Sequence, residues 1–243
     1  MRMKLRSLFS PPPVAARHYK RTMPFSPDDD FSEPSEQLIR LALEVIQEAI
    51  SIDLSAVSDR MPGLHRWPDT WPGEHYRLLA ALVKHLQPPV VVEIGTFTEL
   101  SSLSMLQNLP PDGKLVSFDV CPWNTIPDTC LRNEDFADGR YQQIVADLSN
   151  PEPAEQYRYL LRSASIIFAD GPKDGCFEPR FADLLDTLDF PTPPYVLFDD
   201  IKDWNMLAFW RKLNLPKLDL TSFGHWTGTG LVRWERLPPL RWL

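Results

Sequence analysis

Five short apolar runs, at residues 90–94, 114–118, 141–145, 165–169 and 195–198, set what this chain can fold into. Apolar side chains on consecutive positions need cover on both faces, as in a parallel sheet with helices above and below it. Stretches of helical spacing separate the runs, at about 100–108, 153–162, 176–188 and 203–213. Upstream, Leu38, Ala42, Val45, Ile46 and Ala49 form one amphipathic pattern, and Leu78, Leu79, Leu82, Val83 and Leu86 a second that stops before Pro88-Pro89. Residues 217–223 and 228–234 are β-rich and joined by a short Gly- and Thr-containing turn, which predicts a hairpin. The expected fold is α/β: a doubly wound, Rossmann-like, mostly parallel sheet with a C-terminal antiparallel hairpin.

Residues 35–243 are expected to form one domain, with a helical part at 35–88 and a sheet core at 89–243. The 243 residues are enough for a single α/β core, and 43% hydrophobic with 24% charged residues is the balance of a soluble globular protein. Residues 1–34 differ. Arg2, Lys4, Arg6, Arg17, Lys20 and Arg21 precede the first acid, Asp28, and Pro11-Pro12-Pro13 interrupts any helix. No apolar core follows the charges, so a disordered tail is expected there rather than a targeting segment. A net charge of −8 argues against nucleic acid as a partner. Cys121, Cys130 and Cys176 form no CxxC pair, which suits a reducing compartment, with the cytoplasm as the expected location. No window approaches 18 uninterrupted apolar residues, so no membrane span is expected.

In a doubly wound sheet the ligand crevice lies at the carboxyl ends of the strands, and Asp119, Asp147, Asp170 and Asp199 stand at or just beyond four of those ends. Gly95, in Glu93-Ile94-Gly95-Thr96-Phe97-Thr98-Glu99-Leu100-Ser101, falls where a strand turns into a helix, and a residue without Cβ admits a ligand to the backbone. The motif is neither a P-loop nor a GxGxxG. Asp119 has the spacing to hold ribose hydroxyls, or else caps a helix or faces solvent. Asp147 could face an adenine or cap the helix starting near Pro151.

Asp170-Gly171-Pro172-Lys173-Asp174-Gly175, with Asp199-Asp200, brings three carboxylates to two strand ends. Like charges in one crevice repel unless a cation sits among them, and hard oxygen donors suit Mg²⁺ or Ca²⁺. Lys173 either reaches the same pocket, where it could take a proton from a substrate hydroxyl, or is a solvated residue of a surface turn.

Taken in order, Glu93-Ile94-Gly95 with Ser101, Asp119, Asp147, Asp170-x-x-Lys173 and Asp199-Asp200 resembles the class I S-adenosylmethionine-dependent methyltransferases. More narrowly, it is similar to the metal-dependent catechol and caffeoyl-CoA type O-methyltransferases and their bacterial small-molecule and sugar relatives. Gly73-Glu74-His75-Tyr76-Arg77-Leu78-Leu79 also resembles the helix before the first strand in that group, and the similarity runs from about Pro72 to Trp234. The resemblance implies that Glu93, Gly95, Phe97 and Ser101 surround the methionine end of S-adenosylmethionine, that Asp119 holds its ribose and that Asp147 lies near its adenine. It further implies that Asp170, Asp199 and Asp200 bind Mg²⁺ with Asp170 and Lys173 catalytic, Lys173 as general base. The family often has asparagine at the position of Asp200.

Glu99 departs from the motif of that family, in which the position is usually glycine. A glutamate near the bound methionine carboxylate would cost on the order of 1–4 kcal/mol, unless its side chain rotates outward and serves the helix dipole. His225 has no second histidine at ligand spacing and is expected in the hairpin turn, Cys176 lacks a paired histidine, and Trp204 and Trp210 are explained by packing. The expected activity is metal-assisted O-methylation of a hydroxyl on a small molecule or glycan. A homodimer is left open. The alternatives are a methyltransferase fold that lost its cofactor through Glu99, and another Rossmann-like enzyme acting on a nucleotide sugar or nicotinamide.

Overall fold

The computed structural model describes residues 32–61, 68, 75–224 and 226–235. The expected tail up to residue 31, the 62–67 and 69–74 turns and His225 lie outside them, as does the side chain of Trp204.

The five apolar runs become β1 (Val90–Ile94), β2 (Lys114–Asp119), β3 (Tyr141–Val145), β4 (Ile166–Ala169) and β5 (Tyr195–Asp199), all parallel. The hairpin forms as β6 (Lys217–Asp219) and β7 (Thr229–Arg233), antiparallel to each other, with β7 antiparallel to β5. The order across the sheet is β3-β2-β1-β4-β5-β7-β6. Helices α1 (Glu36–Ala49), α2 (Ser55–Ser58), α3 (His75–Leu86) and α4 (Leu100–Leu106) precede β2. Helices α5 (Pro151–Gln156), α6 (Arg158–Ser163), α7 (Phe177–Asp186) and α8 (Trp204–Lys212) follow β3. Among the described residues no helix is long and apolar enough to cross a membrane.

Successive strand residues feed opposite cores, as a pleat with period two requires. Val91, Leu115, Ile166, Phe168 and Leu197 pack under α1 to α4, while Val92, Val116, Ile167, Val196 and Phe198 pack under the later helices. Two details depart from the helical spacing. The pattern at 153–162 is split into α5 and α6 by Tyr157, whose ψ of 10° leaves the helical region as its ring packs edge-on against Phe118. The hairpin connection is longer than expected, because β6 ends after three residues.

A polar chain is buried inside the first core. Wholly buried Glu93 on β1 accepts from the hydroxyls of Ser101 and Ser102 on α4. The Tyr141 hydroxyl on β3 donates to Ser102 Oγ (3.2 Å) and lies 2.9 Å from Ser117 Oγ on β2. The network thus ties α4 to three strands, and each member is satisfied by another, which is what makes polar burial tolerable. Burial pushes the Glu93 carboxyl up from 4.5 to about 7, although both serine hydroxyls pull the other way.

A carboxyl that binds its proton more tightly folded than unfolded stabilises below its unfolded pKa, and this contribution is lost as pH rises through the folded value. Stability should therefore fall between about pH 4.5 and pH 7, and Glu93→Gln should flatten that fall. In thermal melts each 1 kcal/mol corresponds to about 2–4 °C for a domain of this size. A Tm profile with the wild-type slope in Glu93→Gln would assign the pH dependence to other groups.

Candidate active site

The crevice opens between β1 and β4, neighbours whose chains leave in opposite directions along the sheet. The turns after these strands touch through their backbones. Gly95 has φ +91°, and a Cβ on it would lie 2.1 Å from the Asp170 carbonyl oxygen. The Asp170 N–H donates to the Ile94 carbonyl at 2.8 Å. The glycine is therefore demanded by the protein's own backbone, a stricter reason than room for a ligand.

A cleft of about 350 Å³ lies over this junction, within the range of small-molecule sites. Gly95, Phe97, Asp119, Asp147 and Asp170 all line it. Asp119 neither caps a helix nor hangs in solvent. One carboxylate oxygen accepts from the N–H groups of Thr96 (2.8 Å) and Phe97 (3.3 Å), and the other from that of Cys121 (2.9 Å). Three of its roughly four acceptor positions are thereby used to hold the turn after β1, leaving limited capacity for a ligand. Asp147 closes a local turn before α5 by accepting from the Ser149 N–H and the Asn150 side-chain amide, both at 2.9 Å. Phe97 is 70% exposed at the rim. Glu93 and Ser101 do not line the cleft; they support the turn from behind through their mutual hydrogen bond.

Glu99 takes neither of the two courses left open for it, outward rotation or approach to a methionine carboxylate. It caps α4 in the left-handed region (φ +66°), where glycine is usual, yet is only 1% exposed. One carboxylate oxygen accepts from the Thr129 hydroxyl at 2.7 Å, and the other is buried without a hydrogen-bond partner. Burial pushes this carboxyl up to about 7 as well. Glu99 is not part of the cleft lining, so its carboxylate is turned toward the 128–131 segment instead of the place expected for a methionine carboxylate.

Asp170, Asp199 and Asp200 converge, each offering an oxygen within 4.8 Å of the others. Lys173 is among them and not a solvated turn residue. Its ammonium pairs with Asp170, lies 3.0 Å from Asp200 and 3.9 Å from Asp199. Lys173 itself has φ +53°, and its N–H donates at 3.0 Å to Glu178, a carboxyl 1% exposed on α7 that burial pushes up. Neighbouring oxygens around Mg²⁺ lie about 3 Å apart, given Mg–O distances of about 2.0–2.1 Å, so modest closure of the three would suit such an ion. The donor set, all hard carboxylate oxygens with room for waters, fits a divalent cation in kind.

Sequence reasoning missed His75, Glu178 and Thr129. Buried His75, on the first turn of α3, places Nδ1 3.7 Å from Asp199 and packs its ring against Phe168. Only its place inside the quoted Gly73–Leu79 stretch hinted at it; the spacing of Glu178 and Thr129 from their partners has no periodic signature. Cys176 is exposed at the cleft rim, and Trp210 is buried against Gly230, as packing predicts.

Residues 68–127 match the family model described as O-methyltransferase. Among curated proteins, the chain is 27% identical over 92 residues to the Transmembrane O-methyltransferase of Propithecus coquereli and to that of Macaca mulatta. Each alignment takes in 37% of this chain, but 34% and 31% of the relatives, so the chain spans about a third of the length of the curated relatives it matches. Among solved structures, the O-methyltransferase from Bacillus cereus in complex with SAH superposes with a TM-score of 0.50 at 14% identity, covering 90% of this chain and 95% of that one. At that identity the likeness is one of fold. The chain is thus similar to an O-methyltransferase family model over the segment around its first strand, and to the Bacillus cereus enzyme in fold.

Proposed function

We propose that this chain transfers a methyl group from S-adenosylmethionine to a hydroxyl oxygen of a small molecule or sugar, assisted by a divalent cation. One observation carries the reading: Asp170 belongs both to the cleft that Gly95, Asp119 and Asp147 line and to the acid cluster around Lys173. A cofactor and an acceptor bound at these two places would meet at that residue.

S-adenosylmethionine would supply an electrophilic methyl on a sulfonium. The turn at Gly95 and the ring of Phe97 would border its methionine end, with Glu93 and Ser101 holding that turn. The remaining acceptor capacity of Asp119 would serve the ribose, and the Asp147 region, with Ala146 and Leu148, the adenine. Asp170, Asp199 and Asp200 would hold the cation, which when bound would polarise the acceptor oxygen. Lys173 would take the acceptor's proton as a neutral amine: its ammonium now pairs with carboxylates, and a cation engaging those carboxylates would favour loss of the ammonium proton to solvent before the acceptor's proton is taken. Orientation within the cleft provides the remainder of the rate, through positioning of oxygen, methyl carbon and sulfur in line.

Titration calorimetry should detect S-adenosylmethionine binding to the wild type and a loss of about tenfold or more in Asp119→Ala; no binding by the wild type would refute the cofactor. With labelled cofactor and a panel of catechols and sugars, EDTA and Asp170→Ala should each abolish transfer. Full activity in EDTA would remove the cation from the mechanism. Lys173→Met should depress turnover far more than cofactor affinity, and an unchanged rate would assign the proton to another group.

A further inference from the structure

The crossover from β2 to β3 has no α-helix. Its 21 residues, 120–140, contain two 3₁₀ turns, Trp123–Thr125 and Asn133–Phe136, the first stacked on the second through Trp123 and Phe136. The far end is anchored by Arg60, which binds both oxygens of Asp135, while Asp135 accepts from the Arg132 N–H. The middle of the crossover, 128–131, lies on the turn after β1. There the Cys130 N–H donates to the Thr98 carbonyl (3.4 Å) and the Thr129 hydroxyl to Glu99 (2.7 Å). The same hydroxyl accepts from the Leu131 N–H (3.3 Å), so Thr129 relays the carboxylate into the segment's own backbone.

The turn at 95–99 is thus held from two sides. Asp119 takes the N–H groups of Thr96 and Phe97, and Glu99 reaches over to Thr129. A glutamate in a left-handed conformation, with one buried oxygen unpaired, is locally unfavourable, and a glycine would relieve both faults. The local fault is offset by what the carboxylate holds. We propose that Glu99 is a positioning residue for the cofactor turn: through Thr129 it clamps residues 128–131 onto 96–99, so that the turn is formed before S-adenosylmethionine arrives. Glu99 is then an adaptation to a helix-free crossover, not a relic of lost binding. The inference rests on the cofactor assigned above for its consequence, though not for the clamp itself.

Two measurements on the full chain test it. Amide hydrogen exchange without cofactor should show residues 96–99 and 128–131 opening about tenfold faster in Thr129→Val and in Glu99→Gly. Glu99→Gln should stay within about twofold of the wild type, because its carboxamide oxygen still accepts from Thr129, and the double variant Glu99→Gly/Thr129→Val should add nothing further. Calorimetry with S-adenosylmethionine should show affinity about tenfold weaker in Thr129→Val and Glu99→Gly, and preserved in Glu99→Gln. Unchanged exchange at 96–99 in Thr129→Val overturns the clamp, and equal or tighter binding by Glu99→Gly overturns the positioning role. If the wild type binds no S-adenosylmethionine, the methyltransferase reading falls, and the clamp is then decided by the exchange rates alone.

Discussion

The site depends on one backbone contact, the approach of the turn after β1 to the turn after β4 at Gly95 and Asp170. A Cβ there would lie 2.1 Å from a carbonyl oxygen, so a residue with a side chain would force the two strand ends apart. Because β1 and β4 are adjacent but lead to helices on separate sides, their turns diverge just above the contact and leave a crevice. Asp170 follows immediately on that junction. Its main chain closes the floor of the cleft, and its side chain joins the acid cluster. Asp170 is thus the residue that cleft and acid cluster share.

Acids gathered at one sheet edge must be compensated, and the fold does so in three ways with different consequences. Asp119 and Asp174 accept backbone N–H groups, which spends their charge on loop geometry; the N–H groups of Phe177 and Cys176 hold exposed Asp174 below the usual carboxylate range. Glu93, Glu99 and Glu178 are enclosed, and burial favours their neutral forms. Asp170 and Asp200 are paired with the Lys173 ammonium. Only this third solution is exchangeable, because an ammonium on a flexible stem can be displaced whereas a backbone amide cannot.

The sheet and its helices were legible because burial on both faces writes itself into consecutive apolar residues, and burial on one face into a 3.6-residue period. All five parallel strands were found within about a residue of their ends for that reason. The convergence of Asp170, Asp199 and Asp200 was legible too, since parallel strands bring their carboxyl ends to one edge. The break at Tyr157 was not, because it follows from a ring packing on Phe118 across the fold. The partners of Glu99 and Lys173 were equally hidden: Thr129 lies 30 residues from the first, and Glu178 meets the second through a backbone N–H that no side-chain pattern reveals. Glu99 itself was conspicuous as a departure from glycine, but the direction of its side chain depends on a crossover whose lack of a helix had no positive signal.

Asp200 changes how the acid cluster works under the proposed reading. An asparagine there would leave the Lys173 ammonium with Asp170 as its one close carboxylate, since Asp199 is 3.9 Å away. With aspartate, the ammonium bridges two strand ends, and the oxygens it bridges are the ones a divalent cation would need. Cation and ammonium therefore compete for the same donors. Two positive centres cannot share oxygens within 4.8 Å of one another without strong mutual repulsion, so a cation entering the cluster must push the lysine head away from it. Filling the acid cluster and freeing the lysine head from its carboxylates would then be a single event, and the freed head would serve as a base once the nearby cation had favoured loss of its proton to solvent.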